Sequence, residues 1–151
     1  MEATIRIQRE DFDAAAEAAK LTAGRRDIGA VVSFVGLCRD EGGELSALEL
    51  EHYEGMAEEE IARVAADAMG RWPLCGVTVI HRYGEMAPGA QIVLVIAASS
   101  HRAAAFSGAE FLMDYLKTRA PFWKKEHRAD GSVGGWVEAH DADESAVKRW
   151  E

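Results

Sequence analysis

Several signatures are missing from this 151-residue chain. It has two cysteines, Cys38 and Cys75, in no CxxC and no metal-ligand spacing, so neither a redox pair nor a zinc motif is expected. A disulfide between them is not expected either, because a reducing cytoplasm is the default compartment for such a chain. No stretch approaches the ~20 apolar residues of a membrane span. The longest apolar run, residues 92–98, has the length of a strand. The opening MEATIRIQRE lacks the apolar core of a secretory signal. GxGxxG, P-loop, GxSxG and HExxH patterns are all absent, and the histidines at 52, 81, 101, 127 and 140 have no ligand spacing. No metal site is therefore expected. Positive charge is also scarce: 17 Lys and Arg face 26 Asp and Glu, a net −9. That argues against a general nucleic-acid or membrane-surface binder, whose partners require a positive footprint.

What is present fits one globular domain over residues 1–151, with 48% hydrophobic and 28% charged residues. Ile5 and Ile7 alternate with polar neighbours, which predicts a short edge strand. Residues 11–21 read as a helix ended by Gly24. The apolar, β-branched run 29–35 predicts a buried strand, followed by a loop over 36–43. Residues 45–53 alternate as a half-buried strand. Residues 57–72 carry apolar side chains at helical spacing, and Pro73 stops them. Strands at 77–83 and 91–98 read as a hairpin around the Pro88-Gly89 turn. Ser99 or Ser100 is the expected cap of a helix reaching about Thr118, with Ala105, Phe106, Ala109, Leu112, Met113 and Leu116 as its apolar stripe. Residues 122–128 and 136–139 are read as a last ribbon, and 141–150 as a terminal helix. The order lacks regular βαβ alternation, so α+β is the expected class.

Charge is unevenly distributed. Residues 40–60 hold nine acids and no Lys or Arg. Residues 101–128 hold six bases (Arg102, Lys117, Arg119, Lys124, Lys125 and Arg128) against three acids, with His101 and His127 in addition. A basic island on an acidic chain points to a specific anionic ligand. His101-Arg102 opens the long helix, where free N–H groups and the helix dipole favour an anion. Lys117 stands at its other end, roughly 22 Å away at 1.5 Å per residue. A small ligand cannot touch both ends in one subunit. Either the ligand is long, the loop carrying Lys124 folds back, or two subunits share each site. Arg39, just after a strand, is a further candidate for a phosphate or carboxylate.

Other candidates are weaker. Ser99-Ser100-His101 resembles a nucleophile beside a base, but adjacent residues rarely aim at each other and the elbow motif is absent. Cys38 beside Arg39 has one ingredient of a reactive thiolate, yet a small apolar side chain at a strand end is the simpler reading. Tyr115, Phe122 and Trp123 bracket the bases and read as packing rather than a base-stacking platform.

The segment MDYLKTRAPFWKKE (113–126) closely resembles the signature of the large, catalytic subunits of molybdopterin synthase, the MoaE type. Related stretches occur at SFVGLCRD (33–40), LELEHYEGMAEEE (48–60), RWPLCGVTVIHRYGEMAPG (71–89), SSHRAAAF (99–106) and WVEA (136–139). The likeness runs from about Ile5 to Trp150. It implies an α/β-hammerhead-like single domain with a mixed sheet and packed helices. It also implies conversion of cyclic pyranopterin monophosphate (precursor Z) to molybdopterin, a step of molybdenum cofactor biosynthesis. The two dithiolene sulfurs come from the thiocarboxylated C-terminus of a small ubiquitin-like subunit, so no metal or organic cofactor is expected. The implied assembly is a heterotetramer around a homodimer of large subunits, with no nucleic acid or membrane partner.

By the same resemblance Lys117 and Lys124 are the catalytic candidates. Arg39, His101 and Arg102 match substrate-binding positions, the His-Arg pair coming across the dimer. Phe34 and Met113 match pocket-lining positions, and Lys125 and Glu126, which follow Lys124, are expected substrate contacts with them. Leu37 and Cys38 are expected there too but depart from the family pattern, standing where some members carry a base and a small aliphatic residue, as Asp40 replaces a common Asn. Two competing readings are a non-catalytic dimeric module, binding a ubiquitin-like tail or a phosphorylated metabolite, and an unrelated phosphate-ester enzyme. The first would not need Arg39, His101-Arg102, Lys117 and Lys124 together, and the second lacks a metal or nucleophile motif.

Overall fold

The computed structural model describes residues 3–40, 42–119, 121–136 and 145–151. Its elements are β1 (Ala3–Gln8), α1 (Ala14–Thr22), β2 (Ala30–Leu37), β3 (Leu45–His52), α2 (Met56–Arg71), β4 (Leu74–Arg82), β5 (Gly84–Met86), β6 (Gln91–Ser99), α3 (Arg102–Thr118) and β7 (Phe122–Arg128). Residues 145–147 are helical and lead into a 3-10 turn, Lys148–Trp150. The class is α+β. No helix among the described residues is long and apolar enough to cross a membrane.

Two sheets organise the chain. The larger has the order β1-β4-β6-β2, and the smaller β5-β3-β7. β1 runs parallel to β4, and every other strand pairing among the described residues is antiparallel. β4 and β6 are apolar on both faces because both faces are covered. Val77, Val79, Val93, Val95 and Ala97 meet Ile61, Val64, Ala65 and Ala68 of α2 and Ala109, Phe111, Leu112 and Leu116 of α3. On the other face Ile80, Leu94 and Ile96 meet Phe12 and the α1 side chains Ala18 and Leu21.

Local chemistry sets the boundaries. The Asp13 carboxylate accepts the Ala16 N–H at 3.0 Å and caps α1, which begins three residues later than the expected residue 11. Gly55, at φ +85°, starts α2, where a side chain would strain the backbone. Glu58 accepts the Gly55 N–H at 3.1 Å. Gly29 passes so close to Ser100 that a Cβ would lie 2.1 Å from its carbonyl oxygen.

Four expectations need correction. β2 is an edge strand and not buried: Val31, Phe34 and Leu37 are 39, 42 and 57% exposed. An apolar β-branched run reports side chains that shun water, not which chain covers them. The strands after α2 are antiparallel neighbours as expected, but they do not form a simple hairpin, because β5 leaves to pair with β3. His101 is the cap position of α3. Both serines are engaged elsewhere: Ser99 Oγ–H donates to the Pro73 carbonyl at 2.8 Å and Ser100 Oγ–H to the Asp27 carbonyl at 3.1 Å. Phe106 is 62% exposed while Phe111 is fully buried. At about 100° per residue, Phe106 lies off the centre of the Ala105–Ala109–Leu112–Leu116 stripe. β7 joins β3. Among the described residues a short return follows it, where Gly134 N–H donates to the Glu126 carbonyl at 2.9 Å. Residues 137–144, including parts of the expected last strand and terminal helix, lie outside the described residues.

Candidate active site

Strand register divides the basic residues. Lys124 pairs with Leu50 and Phe122 with His52, while Lys125 pairs with Glu49 and Trp123 with Glu51. Directly opposed residues share a face, and the face alternates along a strand. Lys124 therefore shares the face of Leu50, His52 and Phe122. Lys125 lies on the opposite face, with its ammonium 4.5 Å from the centre of the Trp136 ring. Glu126 pairs with Leu48 and is exposed.

Lys117 sits exposed in the last turn of α3. Helix α3 packs back along β6, so its end returns to the strand's beginning. There Val93 is paired with His81, whose imidazole feels the charge of Lys117. The end of β2 reaches the same region. Cys38, 3% exposed, lies with its thiol 3.8 Å from the Met86 carbonyl, and Met86 pairs with Leu48. Arg39, exposed, follows directly. The chain thus gathers Arg39, Lys117 and Lys124 toward one end of the large sheet.

His101 and Arg102 are at the other end. Ser99 pairs with Ala30, whereas Leu37 pairs with Gln91, so β2 alone separates the two ends by about 23 Å at 3.3 Å per residue. One chain does not bring the His-Arg pair to Lys117. Phe34 faces solvent on the edge strand, Leu37 is exposed, and Met113 is half-buried on the α3 flank that also bears Phe106.

Burial, with Asp40 adding, pushes the Cys38 thiol above its ordinary range. That is the reverse of what a reactive thiolate requires.

Sequence reasoning missed an aromatic and histidine cluster between the sheets. The His81 ring stacks on Phe122 with centroids 3.8 Å apart and planes 15° apart. His52 lies 5.9 Å from Phe122 and 4.6 Å from Tyr83. A carbonyl can only accept, so the 2.8 Å contact between His81 Nδ1 and the Arg82 carbonyl places the ring proton on Nδ1. Burial chiefly pushes His81 down to about 4, with Lys117 and His52 adding to the shift and the Arg82 hydrogen bond opposing it. The buried His52 Nδ1 has no hydrogen-bond partner among the described residues. The only signal in the sequence was the presence of these residues in the 48–60 and 71–89 stretches.

The small sheet also assembles a group that linear spacing could not reveal. Glu49, Glu85 and His127 come from three strands, with one ligand atom each within 4.8 Å of the others. His127 Nε2 stands 2.9 Å from Glu49 and 3.5 Å from Glu85, bridging the two carboxylates. Elsewhere, a groove of about 570 Å³ lies between α1, β1 and β4, lined by Arg6, Glu17, Lys20 and Cys75 among others. None of the candidate residues lines it.

Comparison with known proteins gives a consistent result. The family model for MoaE protein matches residues 7–119. A molybdopterin synthase catalytic subunit of Mesorhizobium japonicum is 72% identical over 147 residues, covering 97% of this chain and 92% of its own length. A solved molybdopterin biosynthesis MoaE protein from Burkholderia ambifaria superposes with a TM-score of 0.86 at 50% identity, covering 99% of this chain and 98% of the other. The X-ray structure of molybdopterin synthase from Staphylococcus aureus gives 0.78 at 29% identity, covering 87 and 94%.

Proposed function

Because this chain belongs to the MoaE family, we propose that it is the catalytic subunit of a molybdopterin synthase. It converts cyclic pyranopterin monophosphate to molybdopterin by inserting two dithiolene sulfurs. The observation that carries this reading is the 72% identity to a molybdopterin synthase catalytic subunit over 97% of the chain.

Substrate and sulfur donor are both anions, one a cyclic phosphate and the other a thiocarboxylate tail. Residues 101–128, with six bases against three acids, supply the matching charge. A charge pair at 4 Å contributes about 4 kcal/mol at an effective dielectric of 20, before desolvation is offset. Arg39 anchors the substrate, and His101 and Arg102 reach it from a second protomer. What supports this sharing is the separation of the two ends of β2 and α3 within one chain. The apolar edge strand β2, with Val31 and Phe34 exposed, supports the dimer that sharing requires.

Lys117 and Lys124 flank the point of sulfur transfer, with Lys117 the leading general acid–base candidate. The thiocarboxylate sulfur bonds to a side-chain carbon of the pterin as that carbon's bond to oxygen breaks, the oxygen leaving with the opened phosphate for one sulfur and as water for the other. Water then cleaves the acyl–sulfur bond, so the product keeps the sulfur and the donor tail leaves as a carboxylate. Two sulfurs require two charged tails in succession from a small ubiquitin-like subunit. This route calls for no further cofactor. Both cysteines are free thiols, which supports a cytoplasmic location. We read residues 1–151 as one domain, since β4 and β6 belong to both core clusters.

Incubating the chain with a thiocarboxylated small subunit and precursor Z should yield the dithiolene. Absence of product with a competent donor would overturn the reading.

A further inference from the structure

Phe122 opens β7, two residues before Lys124 and on the same face. Its ring lies flat against His81 at 3.8 Å. His81 belongs to β4 of the large sheet, whereas Phe122 belongs to the small one. The stack therefore joins the two sheets beside both candidate lysines: Lys124 shares the face of Phe122, and α3 returns along β6 so that Leu116, next to Lys117, packs in the cluster of Val93, the partner of His81. The ring is oriented as well as packed. Its Nδ1–H donates to the Arg82 carbonyl at 2.8 Å, and an aliphatic side chain could fill the space without holding a plane. The ring is also uncharged near neutral pH, so it adds no positive charge beside Lys117. His52, paired with Phe122 across β3 and β7, packs its ring against the same side chain.

We propose that His81 is a positioning residue for the two site lysines: stacked on Phe122, it fixes the start of β7 against the end of α3 and so sets the separation of Lys117 and Lys124. This inference rests on the synthase reading above. Misplacing catalytic groups by about 1 Å can cost on the order of 100-fold in rate, so a joint that holds two lysines from different elements bears directly on turnover.

The test compares His81→Leu, which removes the flat ring at similar volume, with His81→Phe, which keeps it. Each is assayed for product with a thiocarboxylated small subunit, for KM, and for affinity to that subunit. In parallel, acetylation rates of Lys117 and Lys124 are read by mass spectrometry after brief exposure to acetic anhydride, with no substrate present. His81→Leu should lower kcat at least tenfold while KM and subunit affinity stay within twofold, and should change the ratio of the two acetylation rates. His81→Phe should recover most of the rate and the native ratio. Wild-type kcat and ratio in folded His81→Leu would overturn the proposal, as would His81→Phe as impaired as His81→Leu. If the wild type makes no product, the synthase reading fails, while the acetylation ratios still decide whether His81 sets the lysine geometry.

Discussion

Lys124 and Lys125 are adjacent in the chain and stand on opposite faces of the small sheet, one in register with Leu50 and the other with Glu49. Only Lys124 shares a face with Phe122 and His52. Lys124→Ala should therefore reduce product formation by two orders of magnitude or more. Lys125→Ala, which releases a cation–π contact with Trp136 worth about 0.5–1 kcal/mol at an exposed site, should reduce it by less than tenfold. Single-turnover assays with a saturating thiocarboxylated subunit check both.

Lys117 is exposed at the end of α3 and holds none of the core in place. Lys117→Ala should lose turnover while keeping its thermal midpoint and its affinity for the small subunit. If His101 and Arg102 serve a neighbour's site, a mixed dimer of Lys117→Ala with Arg102→Ala should regain part of the activity, because one of its two sites is intact. Co-purified, differently tagged protomers test this, and no recovery would argue against sharing.

The pH dependence of stability should carry a mark of His81. Folding lowers its pKa from 6.5 to about 4, so between these values the unfolded chain binds a proton that the native chain does not. The contribution is complete above pH 6.5 and is lost as pH falls toward 4, up to about 3 kcal/mol in all. The carboxylates Asp11, Glu17, Asp27 and Asp130 are held below their usual range, so their effects come at lower pH. Urea midpoints measured from pH 7.5 to 4 should decline in the wild type and decline less in His81→Phe. Parallel curves would refute the assignment.

Cys38 is buried against β5, with its thiol disfavoured as an anion. Cys38→Ala should keep turnover within about twofold and cost about 1 kcal/mol of stability. Loss of activity out of proportion to stability would return Cys38 to the list of reacting groups.

Much of the fold was readable from spacing. α2, with Ile61, Val64, Ala65 and Ala68 inward, and the central strands β4 and β6 follow from apolar periodicity, because their own chain covers them. β2 was misread for the same reason, since its apolar edge is not covered within the chain. Linear spacing gave the two ends of α3 but not which end meets Arg39; that depends on α3 folding back along β6. The opposite facing of Lys124 and Lys125 follows from register, which needs the partner strand. His52 and His81 carry no spacing signal, because their relation to Phe122 exists only where the two sheets meet.

Trp150 is packed edge-on against Trp72 and Phe111, and its indole N–H donates to the Asp114 carboxylate at 2.6 Å. Trp150 is thus among the partners of the α2–α3 core. A chain released from the ribosome before residue 150 would carry every candidate catalytic residue yet leave two large aromatic rings without their lid. Ending the chain before Trp150 should accordingly lower its thermal midpoint, since edge-to-face aromatic pairs contribute about 0.5–1.5 kcal/mol beyond their buried area.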